Sequence, residues 1–353
     1  MRSPHTPPGR TVAVVDIGSN TLKILVARQG PRLLSPCANP KKGGGAPLPA
    51  IHPVADFTED VRISPGPGDP PKRIPERLFA PAADAITRLL GHAARHQAAP
   101  IRLVATSCVR EAVNAAAFRQ FIHAQTGHPV ETLSGEEEAL GIADGVATDP
   151  AITGAASDGL HIIDLGGGSL ECILRAPDGE ILDAQSLPLG AARLAREFLS
   201  DWAAPNPAAE MEALASHVRQ TLQNNARPAP LPPENAGTRP MAPAFVGCGG
   251  SFTICRAILA ARNNLTFEHQ SPVLDIQTIR ALRDITAALP LPERRKFPGL
   301  PASRADIFPA ALTILIALAE VTHASAFRHT LHSLRHGLAA RLLQNPDPAK
   351  VCA

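Results

Sequence analysis

The sequence predicts an α/β protein built from two related lobes, and three observations carry that expectation. Two stretches read as copies of one another, VAVVDIGSNTLKILVA at 12–27 and HIIDLGGGSLECILRA at 161–176. Laying Asp16 on Asp164 without a gap puts Gly18 on Gly166, Thr21 on Ser169 and Leu22 on Leu170, an offset of about 150 residues, one domain length. Each copy is an apolar, β-branched run ending in Asp, then a glycine turn with a hydroxyl residue, then a second apolar run. That pattern is a strand, a tight turn and a return strand. Finally, 353 residues with 44% hydrophobic content suffice for two ordinary cores.

The elements follow in order. After the first hairpin, the Pro/Gly-rich stretches 37–57 and 64–75 are expected as long surface loops around an edge strand, DVRIS at 60–64, because proline density forbids regular ladders. Lys41 and Lys42 fall in the first of them and read as solvated. Helical spacing covers 75–96, a strand IRLVAT covers 101–106, a helix covers 109–126 and a short strand VETL covers 130–133. In SGEEEALGIADGV, Ser134 and Glu137 fit a helix N-terminal capping box. This is the expected crossing between lobes. The second hairpin is followed by helical stretches at 190–202 and 208–226 and by an exposed Pro-rich loop at 227–243. AFVGCGGSFTICRAIL at 244–259 repeats strand, glycine turn and helix, and the remainder is mostly helical with a break at 289–301. The expected domains are 1–133, a first lobe carrying the Pro/Gly-rich insertion; 134–325, the second lobe; and 326–353, a C-terminal helix packing back on the first.

A net charge of +2, from 34 basic and 32 acidic residues, gives no global drive towards nucleic acid. The start, MRSPHTPPGR, lacks the apolar core of a signal peptide, and AALTILIALAEV at 310–321 is too short to span a bilayer. The expected setting is cytoplasmic, with no membrane and no nucleic-acid partner. A C2 homodimer is an assembly that such a chain admits. The cysteines (Cys37, Cys108, Cys172, Cys248, Cys255 and Cys352) form no CxxC pair and sit mostly in apolar contexts, which points to buried free thiols. His329, His332 and His336 lack the acid of an HExxH zinc motif, so an amphipathic helix accounts for them better than a metal site.

Glycine admits positive φ and brings backbone N–H groups close to a ligand, while Ser or Thr adds a hydroxyl donor. Two such turns facing each other across a cleft would cradle phosphates, with Asp16 and Asp164 placed to hold a divalent cation. The alternative is that each aspartate bonds its own turn. Glu171 stands where Lys23 stands in the first copy, which differentiates the two turns. Glu136, Glu137 and Glu138 are favoured by the helix dipole, yet successive residues are rotated by about 100° and cannot share a face. One can cap while another serves as a general base. Arg110 follows a strand and suits bidentate phosphate binding, against a surface ion pair. Gly249 and Gly250 open a helix whose first amides form a third phosphate contact.

Taken together, DIGSNT at 16–21, ATSCVREAVN at 105–114, SGEEEA at 134–139, DLGGGSLE at 164–171, SLPLGAARL at 186–194 and VGCGGS at 246–251 resemble the exopolyphosphatase and guanosine pentaphosphate phosphatase family. The resemblance runs from about residue 11 to residue 343. It implies two actin/Hsp70/sugar-kinase-like domains of ribonuclease-H-like topology with a cleft between them. It also implies Glu138 as the base that activates water and Arg110 as the ligand of the terminal phosphate. Asp164 and Glu171 are implied in Mg²⁺ binding, Glu171 also in catalysis. Asp16, Gly18, Ser19 and Asn20 match the first phosphate loop, and Gly166, Gly167, Gly168 and Ser169 the second. Leu170 departs from the usual Thr, as does the insertion near 37–75 from the usual length, and the chain resembles the short form without an HD-type helical domain. The expected activity is Mg²⁺-dependent release of terminal phosphate from inorganic polyphosphate. The same hydrolysis of guanosine pentaphosphate, phosphate transfer to ADP, and non-catalytic binding of these polyanions stay open as alternatives.

Overall fold

The computed structural model describes residues 10–30, 48–66, 68–153, 159–225 and 244–345. The expected loop at 227–243, Lys41, Lys42, Cys37 and Cys352 lie outside them. The chain divides into two compact units, residues 1–153 with 332–353, and residues 154–331.

Unit 1 is built on β1 (Thr11–Ile17), β2 (Leu22–Gln29), β3 (Ile51–Glu59), β4 (Ile101–Ala105) and β5 (Val130–Thr132), in the order β3-β2-β1-β4-β5. The first three strands form an antiparallel meander, and β4 and β5 run parallel to β1. Its helices are α1 (Phe79–Arg95), α2 (Ser107–Arg110), α3 (Ala115–Thr126), α4 (Gly135–Ala147) and α5 (Pro150–Thr153). The β-branched run of β1 leaves Val12, Ala13, Val14, Val15 and Ile17 with no exposed surface, as a central strand covered on both faces demands. Ala13, Val15 and Ile17 share a core with Ala82, Ile86 and Leu89 of α1 and Phe118 and Ile122 of α3.

Three expectations fail here. Residues 51–57, read as loop, form most of β3, while 60–64, read as the edge strand, does not extend the ladder. Pro53 sits on the outermost strand opposite Ala27, at a shift in register, where its missing N–H costs no ladder bond. The Ser64 N–H instead donates to the Ser19 carbonyl at 3.0 Å, so this segment is spent on a turn. The helix expected at 109–126 is split into α2 and α3.

Unit 2 repeats the plan with β6 (Leu160–Leu165), β7 (Leu170–Arg175), β8 (Ile181–Leu187), β9 (Ala244–Cys248), β10 (Val273–Asp275) and β11 (Ala326–His329). Their order is β10-β11-β9-β6-β7-β8. The meander β6-β7-β8 and the parallel strands β9 and β11 reproduce the five-strand order of unit 1, and β10 is an added antiparallel edge. The helices are α6 (Ala191–Phe198), α7 (Ala208–Asn224), α8 (Gly250–Arg262), α9 (Ile276–Ala288), α10 (Leu291–Arg294) and α11 (Phe308–Thr322). The long apolar run is α11, buried from Phe308 to Ala319 and packed on α7 and α9. It is hydrophobic all round because it is covered all round. Among the described residues no helix is long and apolar enough to cross a membrane. The Pro-rich break after α9 is held by Arg294, fully buried, whose guanidinium donates to the carbonyls of Thr286, Leu289, Ala305 and Ala204.

The last helix, α12 (Leu334–Gln344), packs on α4, β1 and β2. The Arg335 guanidinium donates to the Ile24 carbonyl at 3.0 Å and pairs with Asp56 on β3. Small residues let α4 and α12 approach closely: a Cβ on Gly145 would lie 2.0 Å from the Ser333 carbonyl oxygen, and one on Gly337 2.0 Å from that of Gly141. These contacts correct the domain boundaries. The break falls at 153/154 rather than 133/134, because α4 is tied to unit 1 through α12; the return begins at His332 rather than 326, because β11 completes the second sheet.

Gly337→Ala is expected to lower stability by about 2–3 kcal/mol, since neither backbone can retreat. Thermal melting would detect it as a fall of about 4–12 °C.

Candidate active site

In unit 1, Asp16 ends the apolar run of β1 and the turn beyond it closes by the Gly18 N–H donating to the Thr21 carbonyl at 3.1 Å. Ser19 and Asn20 are buried. The 60–64 segment braces them, through Ser64 N–H to Ser19 O at 3.0 Å and Ser64 Oγ to Asn20 Oδ1 at 3.4 Å. Asp16 Oδ1 is buried without a hydrogen-bond partner. Burial pushes its carboxyl above the usual value, while the charges of Lys23 and Arg335 pull it down.

Arg110 closes α2, just past the end of β4. Its Nη1 donates to the Leu133 carbonyl at 2.8 Å and to Glu138 Oε2 at 3.0 Å. The three glutamates separate as helical rotation requires. Glu136 is exposed; Glu137 completes the capping box, accepting from Ser134 N–H at 2.7 Å while Ser134 Oγ accepts from Glu137 N–H at 3.1 Å; Glu138 is buried, 6% exposed. A buried carboxylate beside a guanidinium is a charge-assisted pair held in one orientation. Asn114 pins the preceding loop to this turn, its side chain exchanging hydrogen bonds with the backbone of Ile74 at 3.0 and 2.8 Å.

In unit 2, the turn Gly166–Ser169 closes in the same way, Gly166 N–H to Ser169 O at 3.0 Å. Asp164 lies opposite Glu171 in the β6/β7 register, just as Asp16 lies opposite Lys23 in β1/β2. Residues paired across antiparallel strands place their side chains on one face with Cβ atoms about 5 Å apart. Where unit 1 sets acid against base, unit 2 sets acid against acid. Glu171 is buried and accepts from Ser186 Oγ at 2.8 Å, Ser186 being its register partner on β8. Asp164 accepts from Cys248 Sγ at 3.5 Å. Its carboxylate also lies over Gly249, where an added Cβ would sit 2.3 Å from Oδ1; Gly249 has φ +90°. Only glycine fits there. Gly249 and Gly250 stand at the N-terminus of α8, directly after β9, so Asp164, Glu171, the 166–169 turn and this helix start share one end of the second sheet.

Among the described residues no group of three or more His, Cys, Asp and Glu side chains gathers as a metal cage. Two facing carboxylates nevertheless fit the way Mg²⁺ is commonly held, by one or two carboxylates together with water and substrate phosphate. Of the three histidines only His336 lies on a helix, α12, while His329 ends β11 and His332 precedes α12, so an amphipathic helix does not account for them together. His329 Nε2 meets Thr253 Oγ1 at 3.1 Å in unit 2, whereas His332 stacks on His336 at 4.2 Å and meets Thr148 Oγ1 at 2.8 Å in unit 1. Burial, and the neighbouring His332 and Arg335 charges, hold His336 well below the usual imidazole range. The half-buried Cys172 thiol and the buried Cys255 thiol are both pushed up to about 12 by desolvation. Sequence reasoning missed Ser64, Asn114 and Ser186. The last two stand inside recognised motifs, but only the fold shows what they hold.

A model described as the Ppx/GppA phosphatase family matches residues 41–346. A guanosine-5'-triphosphate,3'-diphosphate pyrophosphatase from Vibrio vulnificus is 28% identical over 334 residues, covering 94% of this chain and 59% of that protein. The chain thus spans about three fifths of the length of that relative. Exopolyphosphatase 2 from Mycobacterium tuberculosis is 28% identical over 253 residues, 70% of each chain. The crystal structure of an exopolyphosphatase from Cytophaga hutchinsonii superposes with a TM-score of 0.74 at 22% identity, covering 95% of this chain and 98% of its own, which shows the same actin-like two-domain fold.

Asp16→Asn is expected to raise the melting temperature at pH 7.5 by about 2–4 °C, the equivalent of roughly 1 kcal/mol. The sign follows from linkage: a carboxyl whose folded value is raised is costly while ionised, and the cost vanishes as pH falls through that raised value towards 3.8. Melting curves of both proteins from pH 7.5 downwards should therefore converge.

Proposed function

Since the chain belongs to the Ppx/GppA phosphatase family, we propose that it is a phosphoanhydride hydrolase that releases terminal phosphate from inorganic polyphosphate. The observation that carries this reading is the buried Glu138 carboxylate held by Arg110 at 3.0 Å. A carboxylate so fixed, with Oε2 bonded to a guanidinium, is suited to take a proton from a single water at its remaining lone pairs. Arg110 presents planar donors that match phosphate oxygens, so one side chain orients both base and substrate. Within each unit, the remaining backbone amides of its glycine turn, 19–21 in the first and 167–169 in the second, would supply fixed dipoles for phosphate oxygens, and fixed donors need no reorganisation as charge shifts in the transition state. Asp164 and Glu171 would hold Mg²⁺, which when bound neutralises charge on phosphate oxygens. Positioning and electrostatics thus do most of the work, as in other phosphoryl transfers.

The same chemistry on guanosine pentaphosphate is the second reading, favoured by the Vibrio relative that matches 94% of this chain. Both substrates end in the phosphoanhydride that Glu138 and Arg110 would address, and they differ only in what lies behind it.

The deciding experiment is phosphate release from long-chain polyphosphate and from guanosine pentaphosphate, each with and without Mg²⁺. Release from polyphosphate is expected to require Mg²⁺ and to exceed release from the nucleotide. Glu138→Gln is expected to keep its melting temperature and lose about 10²- to 10⁴-fold in rate. Undiminished turnover by that variant would remove Glu138 from the chemistry.

A further inference from the structure

Resting on the phosphoanhydride reading, we propose that Arg193 is a positioning residue that locks the glycine turn 166–169 into an anion-binding shape. Three successive carbonyls of that turn are captured from one side. The Gly166 carbonyl accepts from the Ala191 N–H at 3.0 Å. The Gly167 carbonyl accepts from the N–H groups of Ala192 and Arg193 at 2.9 and 3.1 Å. The Gly168 carbonyl accepts from Arg193 Nε at 2.7 Å. The backbone amides of α6 thus hold two of the three, and the third has no α6 amide and depends on the guanidinium.

In a planar trans peptide the C=O of one residue and the N–H of the next point in opposite directions. Holding the carbonyls of Gly166, Gly167 and Gly168 against α6 therefore turns the N–H groups of Gly167, Gly168 and Ser169 together towards the other side. Three consecutive amides aimed one way make a concave anion site. An extended strand cannot produce this arrangement, because its carbonyls alternate. Only glycine fits at position 190: a Cβ there would lie 2.3 Å from the Gly168 carbonyl carbon and 2.4 Å from the Ser169 nitrogen. The start of α6 therefore lies flat on the peptide that Arg193 holds. The equivalent turn of unit 1 is braced differently, by Ser64, whose N–H donates to the Ser19 carbonyl and whose Oγ donates to Asn20 Oδ1.

Without the guanidinium, the Gly168 carbonyl is free to rotate, carrying the Ser169 amide out of the site and an oxygen dipole into it. The loss falls on anion binding and not on the hydrophobic core, which Arg193 does not join.

The test uses the full chain carrying Glu138→Gln, so that bound tripolyphosphate is not consumed, with Mg²⁺ present. Titration of protein labelled with ¹⁵N-glycine and ¹⁵N-serine is expected to shift the Gly167, Gly168 and Ser169 amide resonances. Adding Arg193→Ala is expected to raise the tripolyphosphate Kd about tenfold, as loss of a charge-assisted hydrogen bond would, and to abolish the Ser169 shift at an unchanged melting temperature, while the Gly168 amide, whose peptide α6 still holds, keeps its shift. Arg193→Lys, which retains a donor, should recover part of both. Should Arg193→Ala fail to fold, Arg193→Gln makes the same comparison. An unaltered Kd with an unaltered Ser169 shift in these variants overturns the lock while leaving the hydrolase reading intact. Absence of tripolyphosphate binding when Arg193 is present overturns the phosphoanhydride reading and the lock with it.

Discussion

A central strand that is apolar on both faces has to be covered on both, and unit 1 is arranged around that requirement. Ala13, Val15 and Ile17 of β1 are covered by α1 and α3, which follow within the same stretch of chain. Val12 and Val14, equally without exposed surface, lie on the opposite face, and the last helix of the chain packs against β1 and β2. Closing that face fixes much else. It requires glycines where α4 and α12 touch, it places Arg335 beneath the sheet with Asp56 as its partner, and it settles α4 in the first unit. Since α4 carries Glu138, the placement of the buried carboxylate depends on how β1 is covered.

The internal repeat gives one backbone solution twice and uses it for two chemistries. Both sheets begin with a meander whose first strand ends in Asp and whose first turn closes by the same glycine N–H to carbonyl bond. In unit 1 the cross-strand partner of that aspartate is Lys23, an acid against a base; in unit 2 it is Glu171, an acid against an acid. Like charges directly opposite on a sheet are unfavourable. The second turn therefore presents two carboxyl groups on one face, where the first presents a carboxyl and an amine.

How much of this was legible in the sequence depends on whether the signal was local. The repeat, the capping box of Ser134 and Glu137, and the separation of the three glutamates are properties of a few consecutive residues, and each reads directly. The edge strand β3 was hidden by Pro53, since a proline argues against a strand until the strand is known to be outermost. The strand β8, ILDAQSL, mixes polar and apolar residues because it too is an edge, and with it went the role of Ser186. The domain boundary was misplaced because the capping box marks a helix start and says nothing about which sheet that helix covers. Asn114 and Arg193 act on backbone atoms 40 and 25 residues away, and no spacing rule reaches across such distances.

The second unit is inserted whole between two parts of the first, leaving at 153/154 and returning at 331/332. The order of synthesis is therefore not the order of completion. A chain emerging from the ribosome has all of residues 154–331 available before α12, so the unit made second can finish its core while the unit made first still presents one face of its sheet to water. Domains generally fold as units, with the N-terminal one first during synthesis. Here the nested connectivity makes the first unit wait, with Val12 and Val14 uncovered until the last helix arrives.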